Sequence, residues 1–144
     1  MSAVTLLRSA AFADLDARTG YLLWQLRESV FVVEQDCAYL ELDGRDLEPA
    51  TRHLWVEDDG PVAYLRVLED ADAVRIGRVL VAPSHRGRGL AARLMSAALD
   101  VVGSRPCRLD AQSYLAQWYT RFGFERCGEE FLEDGIPHVP MRRV

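Results

Sequence analysis

Arg86-Gly87-Arg88-Gly89 lies between an apolar, β-branched run, Val79-Leu80-Val81-Ala82-Pro83, and an apolar periodic segment from Leu90 to Val102. That order reads as strand, turn and helix N-terminus. A helix N-terminus is a ready anion site, because its first N–H groups are unpaired and its dipole is positive there. Gly87 and Gly89 lack Cβ atoms, so the backbone can approach a phosphate closely and adopt φ > 0. Arg86 and Arg88 add charge-assisted donors, and Leu90 and Ala91 open the helix. Taken alone, the same two-glycine turn is equally a basic cap on a surface helix.

Other residues could move protons. Tyr119 stands among Trp118, Phe122 and Phe124; a phenol can serve as a general acid or simply fill a core. Glu34, Asp43 and His138 are candidate proton acceptors, each with a plainer reading as a solvated carboxylate or a satisfied hairpin histidine. His53 and His85 have weaker claims. No Ser/His/Asp or Cys/His triad can be assembled. Cys37, Cys107 and Cys127 are odd in number and have no metal-ligand spacing, so they read as reduced core residues, with no metal expected.

The motifs resemble a known family. Arg86-Gly87-Arg88-Gly89-Leu90-Ala91 resembles the acyl-CoA signature of the GNAT (GCN5-related N-acetyltransferase) superfamily, Q/R-x-x-G-x-G/A, and Val79-x-Val81-x-Pro83 is similar to its core strand. Tyr119-Thr120-Arg121-Phe122-Gly123-Phe124 resembles the Y-x-x-x-G-F end of that family's second motif. Arg27-x-x-x-Phe31-Val32-Val33-Glu34-Gln35 and Glu133-Asp134-Gly135-Ile136-Pro137-His138 are similar to its ElaA-like branch.

The resemblance implies direct attack of a primary amine, small-molecule or peptidyl, on acetyl-CoA as cosubstrate, without a metal. It implies that Val79, Leu80 and Val81 offer backbone N–H groups to the developing oxyanion. The segment Arg86 to Ala91 would cradle the phosphates, Gln112 would bond the pantetheine arm, and Tyr119 would be the general acid. Glu34 is then a base or acceptor contact, and Asp43 and His138 lie on the acceptor side. One departure stands out: the family often places a glutamate on the central strand, whereas here that position is Arg75 and no acid occurs between Val74 and Ala82. Two alternatives follow. Arg27…Phe31…Glu34…Asp43-x-x-Asp46 with Arg66 also resembles acyl-homoserine-lactone synthases, and the missing strand acid fits a non-catalytic acyl-CoA sensor.

The elements that must position these residues follow from patterning. Val4 to Leu7 reads as a first strand. Asp14 and Asp16 supply cap chemistry for a helix from Ala17 to Val33, packed through Leu22, Leu26, Val30 and Val33. Glu34 to Thr51 reads as an acidic loop, either a solvated connector or the wall of a site for a cationic amine. Strands are expected at Arg52–Asp58, Val62–Glu69 and Val74–Ala82, the first two joined by an Asp59-Gly60 hairpin turn. Gly77 suggests a bulge. A helix from Leu90 to Val102, a strand from Cys107 to Ala111 and a helix from Leu115 to Phe122 come next. A final hairpin, Glu125–Leu132 with His138–Arg142, closes the chain.

These elements predict a single α+β domain over residues 1–144 with a mixed sheet and helices on its faces, and the resemblance implies that this sheet is GNAT-like and mostly antiparallel, with a splayed strand pair and helices on both faces. At 144 residues the chain can bury one sizeable core, and its net charge of −5 disfavours nucleic acid. Its apolar runs are too short to span a membrane, and no signal peptide is visible, so a cytoplasmic protein is expected. A homodimer is expected by analogy only.

Overall fold

A computed structural model describes residues 5–144. The Val4 end of the expected first strand, and the Met1–Val4 stretch on which the signal-peptide reading rested, lie outside the described residues. In chain order the elements are β1 (Leu6–Ala10), α1 (Ala17–Arg27), a π-helical continuation (Glu28–Glu34), β2 (Arg52–Glu57), β3 (Pro61–Glu69) and β4 (Val74–Val81). Then come α2 (Leu90–Val102), β5 (Cys107–Gln112), α3 (Ala116–Thr120), β6 (Glu125–Arg126), β7 (Phe131–Glu133) and β8 (Ile136–Arg143). The strands form one sheet in the order β1-β2-β3-β4-β5-β8-β6, with β7 also on β8. Every pairing is antiparallel except β4–β5, the pair that α2 connects.

Strand alternation assigns each face. Leu54, Val56, Ala63, Leu65 and Ile76 pack with Leu90, Leu94, Met95 and Ala98 of α2. The intervening Trp55, Tyr64 and Leu80 pack with Leu23 of α1 and Val30. Helices therefore cover both faces, as the motif order predicts. Each fully buried aliphatic side chain in such a core contributes roughly 1.5–3 kcal/mol.

The first helix departs from expectation. Asp16, not Asp14, caps it, accepting the Thr19 N–H at 2.7 Å. Its α-geometry stops at Arg27, and the chain continues in wider turns, with Gln35 N–H bonding Val30 O and Cys37 N–H bonding Val32 O. The buried stripe of α1 runs through Leu23 and Arg27 to Val30, and the widening turns Val33 outward, 69% exposed. The final hairpin is also interrupted. A Cβ on Gly128 would fall 2.7 Å from Pro140 Cγ, and the edge strand splits into β6 and β7 around that approach. The two-residue turn Asp134–Gly135 joins β7 to β8.

The acidic loop is folded inward. Arg27 is 0% exposed, and its Nε donates to Glu41 at 2.8 Å while its Nη1 donates to Asp46 at 2.8 Å. Arg66 donates to Asp46 at 3.0 Å and to Asp43 at 2.6 and 2.9 Å. Arg78 closes the set on Glu41 at 2.9 Å. Three guanidinium groups thus meet three carboxylates. Below them His53 donates from Nε2 to Asp46 O and accepts at Nδ1 from Tyr64. Burial drives the His53 imidazole toward its neutral form.

Removing one partner of a buried pair strands the other, so Arg27→Ala should destabilise the fold by about 3–5 kcal/mol in urea unfolding. The acid side has a defined sign. Hydrogen bonds from Arg66 hold Asp43 far below the usual carboxylate range. Burial alone would raise Asp46, but Arg27 and Arg66 outweigh it and hold it low. Their contribution is complete above about pH 4 and is lost as pH falls through the lower folded values. The urea midpoint of the wild type should drop on acidification, and Asp46→Asn should flatten that drop.

Candidate active site

β4 and β5 pair only at Val74–Cys107 and Arg75–Arg108. Beyond those residues the strands part, and the opening leads into a cavity of about 720 Å³. Its walls are the far half of β4, the ends of β5 and β8, and the π-helical segment, which contributes Val30, Phe31 and Glu34.

The other edge of β4 is bulged. Pairing jumps from Tyr64–Leu80 to Arg66–Gly77, so Arg78 and Val79 together oppose Leu65. The left-handed residue of the bulge is Arg78, at φ 55°, rather than Gly77, where an added Cβ would meet nothing. Strain of this kind persists only where the surroundings over-determine it. Here Arg78 Nη2 donates to Glu41 O at 3.2 Å, Nε grips the same residue's carboxylate, and the guanidinium lies 5.7 Å over the Tyr39 ring. Tyr39 in turn donates its hydroxyl to Glu41. Burial, then that hydrogen bond, pushes the Tyr39 phenol up.

At the cavity's mouth the basic turn takes the geometry its glycines allow. Gly87 and Gly89 have φ of 79° and 75°, and Gly89 is the N-cap of α2. No side chain caps that helix, so its first amide donors remain open to an anion. Leu90 is a core residue, 6% exposed, so any phosphate contact there comes from backbone. Arg86 is tied down: its Nε donates to Val81 O at 3.0 Å, and its two Nη atoms fork onto Glu34 at 2.6 and 2.7 Å. Arg88 is exposed and holds only Ser84 O, at 3.3 Å.

A family model described as an acetyltransferase (GNAT) domain matches residues 27–144. The chain belongs to the GNAT acetyltransferase family. A UPF0039 protein of Mycobacterium tuberculosis is 53% identical over 143 residues, covering 95% of this chain and 92% of that protein. Among solved structures, an acyl-CoA N-acyltransferase from Pseudomonas aeruginosa superposes with a TM-score of 0.94 at 42% identity, covering 98% of this chain and all of that one. Escherichia coli ElaA gives 0.92 at 38% identity, with 98% of this chain and 100% of ElaA covered. The AHL synthase LasI, at 13% identity and a TM-score of 0.77 over 98% of this chain and 90% of LasI, shares the fold alone.

GNAT enzymes use acetyl-CoA and act on an amine acceptor. In this GNAT chain Val79, Leu80, Val81, Arg86 and Ala91 line the cavity with Gln112 and Tyr119, as do Glu34, Asp43 and His138. The unpaired edge of β4 beside Val79 faces the opening left by β5. Gln112 reaches Gln35 at 3.5 Å across the cleft. Tyr119 is 6% exposed and packs edge-on against Trp118 and Phe124, and its hydroxyl makes no hydrogen bond among the described residues. Burial pushes that phenol up to about 12. Glu34, forked by Arg86, is held below the usual carboxylate range. Asp43 is clamped by Arg66.

The acidic loop supplies less free negative charge than its composition implies, because Glu41 and Asp46 are buried in ion pairs. Tyr39, Arg66 and Arg78 also line the cavity, and sequence patterning did not single out Tyr39 or Arg78. Only the bulge hint at Gly77 pointed near Arg78. Among the described residues no cluster of His, Cys, Asp and Glu could hold a metal ion, and no helix is long and apolar enough to cross a membrane.

The two glycines should respond differently to substitution. Gly89→Ala forces a Cβ into the left-handed region and should cost about 1–2 kcal/mol. Gly77→Ala, with ordinary φ and open space, should stay within about 0.5 kcal/mol of wild type. Equal losses in urea unfolding would contradict this assignment.

Proposed function

We propose that this protein is an N-acetyltransferase that moves the acetyl group of acetyl-CoA to a primary amine of a small molecule or peptide, in the cytoplasm and within a single domain. The observation that carries the reading is the Tyr119 hydroxyl, which makes no hydrogen bond among the described residues, in the cavity where the strands splay. Acetyl-CoA fits the residues present: the uncapped N-terminus of α2, Gly87, Gly89 and exposed Arg88 would hold its phosphates, and the unpaired β4 edge its amide-bearing arm. When bound it supplies the acetyl group as an activated thioester. Backbone N–H groups around Val79 to Val81 would receive the developing negative charge on oxygen.

Burial holds the Tyr119 phenol protonated well above neutral pH, so it is placed to donate to the departing thiolate as the C–S bond breaks. Lactone synthesis is not favoured: Arg27, Asp43, Asp46 and Arg66, which carry that resemblance, are paired with one another as scaffold.

Calorimetric titration of acetyl-CoA tests the reading. Wild type should bind, and Gly89→Glu, which puts bulk and negative charge in the phosphate cradle, should not. Tyr119→Phe should keep the acetyl-CoA Kd and lose about 10²-fold in transfer rate. Undiminished turnover in Tyr119→Phe would remove the assigned donor. Binding without transfer to any of a broad panel of amines would favour the sensor reading instead.

A further inference from the structure

The reaction needs a group to take the proton of the attacking amine, and β4 carries no acid to do so. Five carboxylates and one histidine line the cavity: Glu34, Asp43, Asp110, Glu133, Asp134 and His138. Glu34 is engaged by both Nη atoms of Arg86, Asp43 by both Nη atoms of Arg66 and Asp110 by Arg75, so these carboxylates are committed to guanidinium groups. Glu133 and Asp134 are exposed to solvent at the turn between β7 and β8. His138 is different. Its Nδ1 lies 2.7 Å from Ile136 O, and a carbonyl can only accept, so Nδ1 carries the proton and Nε2 presents a lone pair.

The three histidines of the chain divide on this point. His53 uses both ring nitrogens, on Tyr64 and Asp46 O. His85 also uses both, on Ser84 and Asp58. Among the described residues His138 Nε2 alone of these ring nitrogens has no hydrogen-bond partner; the nearest charge is Glu133 Oε2, 3.8 Å away. The residue is 9% exposed, lines the cavity, and is packed by the stacked Phe131 ring at 5.8 Å. In the sheet it sits directly opposite Gln112 at the end of β5, and directly opposed residues share a face with Cβ atoms about 5 Å apart. The charged and titratable neighbours facing this end of the cavity are Glu133, Asp134 and Cys37, and the Cys37 thiol is turned onto the carbonyls of Gln35 and Asp134.

We infer that His138 Nε2 is the general base of this site. The inference rests on the acetyl-transfer reading above. The charged amine first gives one proton to Nε2, which passes it to solvent; the neutral nitrogen then bonds the acetyl carbon as the C–S bond breaks with its electron pair on sulfur, and the second proton leaves nitrogen for the departing thiolate. The backbone carbonyl of Ile136 orients the ring and fixes the tautomer that makes this transfer available.

Two measurements test it. Carbethoxylation by diethyl pyrocarbonate, mapped by mass spectrometry at pH 7, reads the free nitrogen without turnover: His138 should be modified, and His53 and His85 should resist. Resistance of His138 would overturn the assignment. The second compares His138→Gln with wild type on two nucleophiles, an Nα-blocked lysine amide, whose amine is charged at neutral pH, and hydroxylamine, whose nitrogen is already neutral. Transfer to the lysine amide should fall by about 10²- to 10⁴-fold, while transfer to hydroxylamine and the acetyl-CoA Kd stay within about threefold. Equal loss on both nucleophiles, or undiminished transfer to the lysine amide, would overturn the base role. Absence of acetyl-CoA binding in the wild type would instead sink the transfer reading itself.

Discussion

The Arg27 guanidinium is withdrawn completely from water, and much of the molecule is arranged to make that tolerable. An unpaired charge there would cost several kcal/mol, so its donors must find acceptors with good geometry. They find Glu41 and Asp46, both from the long acidic loop, and the loop is therefore drawn against the sheet instead of lying in solvent. Once Asp46 is fixed it also receives Arg66 of β3, and once Glu41 is fixed it receives Arg78 of β4. This wall of the cavity is thus a by-product of one buried cation. Helix, loop and two strands share a single neutral cluster, in which Arg66 Nε is the one buried side-chain polar atom among the described residues left without a partner.

β4 is where scaffold and site meet. Its first residues pair in parallel with β5 and anchor α2 behind them. Its middle is bulged toward β3, which re-aims Arg78 into the cluster, and its last residues face an opening instead of a neighbour. A regular strand could satisfy its ladder on both edges, but it would close the cleft. The left-handed Arg78 is tolerable because its side chain is held by Glu41 and Tyr39, so the bulge and the buried cluster stabilise each other.

Local signals in the sequence were legible, and long-range ones were not. The two-glycine basic turn, the Asp59–Gly60 hairpin and the α2 periodicity each depend on residues a few positions apart, and the structure carries them with boundaries shifted by a residue or so. The helices on the faces of the sheet followed from element order, and the splayed pair from the family resemblance. The first helix misled because its buried stripe runs through Leu23 and Arg27 of the regular α-helix, a residue on from the apolar Leu22 and Leu26, and the wider turns after Arg27 then put Val33 on the surface. A lone arginine on an otherwise apolar stripe gives no sign that two acids 14 and 19 residues away will meet it. For the same reason the loop read as free negative charge.

The pattern of satisfied and unsatisfied groups divides the cavity by function. Most of its charges are spent: Glu34 on Arg86, Asp43 on Arg66, Asp110 on Arg75, and Arg78 on Glu41. These pairs shape the walls, and a group already committed to a partner is poorly placed to exchange protons with a substrate. The Tyr119 hydroxyl and His138 Nε2 stand apart because each is held by packing, with aromatic rings against both, yet makes no hydrogen bond among the described residues. One is a donor that burial keeps protonated, and the other is an acceptor whose tautomer a backbone carbonyl sets. An attacking amine must lose a proton and a departing thiolate must gain a hydrogen bond, so complementary vacancies of this kind are what acyl transfer to nitrogen requires. On the proposed reading the missing strand acid is no defect in the site, because His138 of β8 takes the role of proton acceptor.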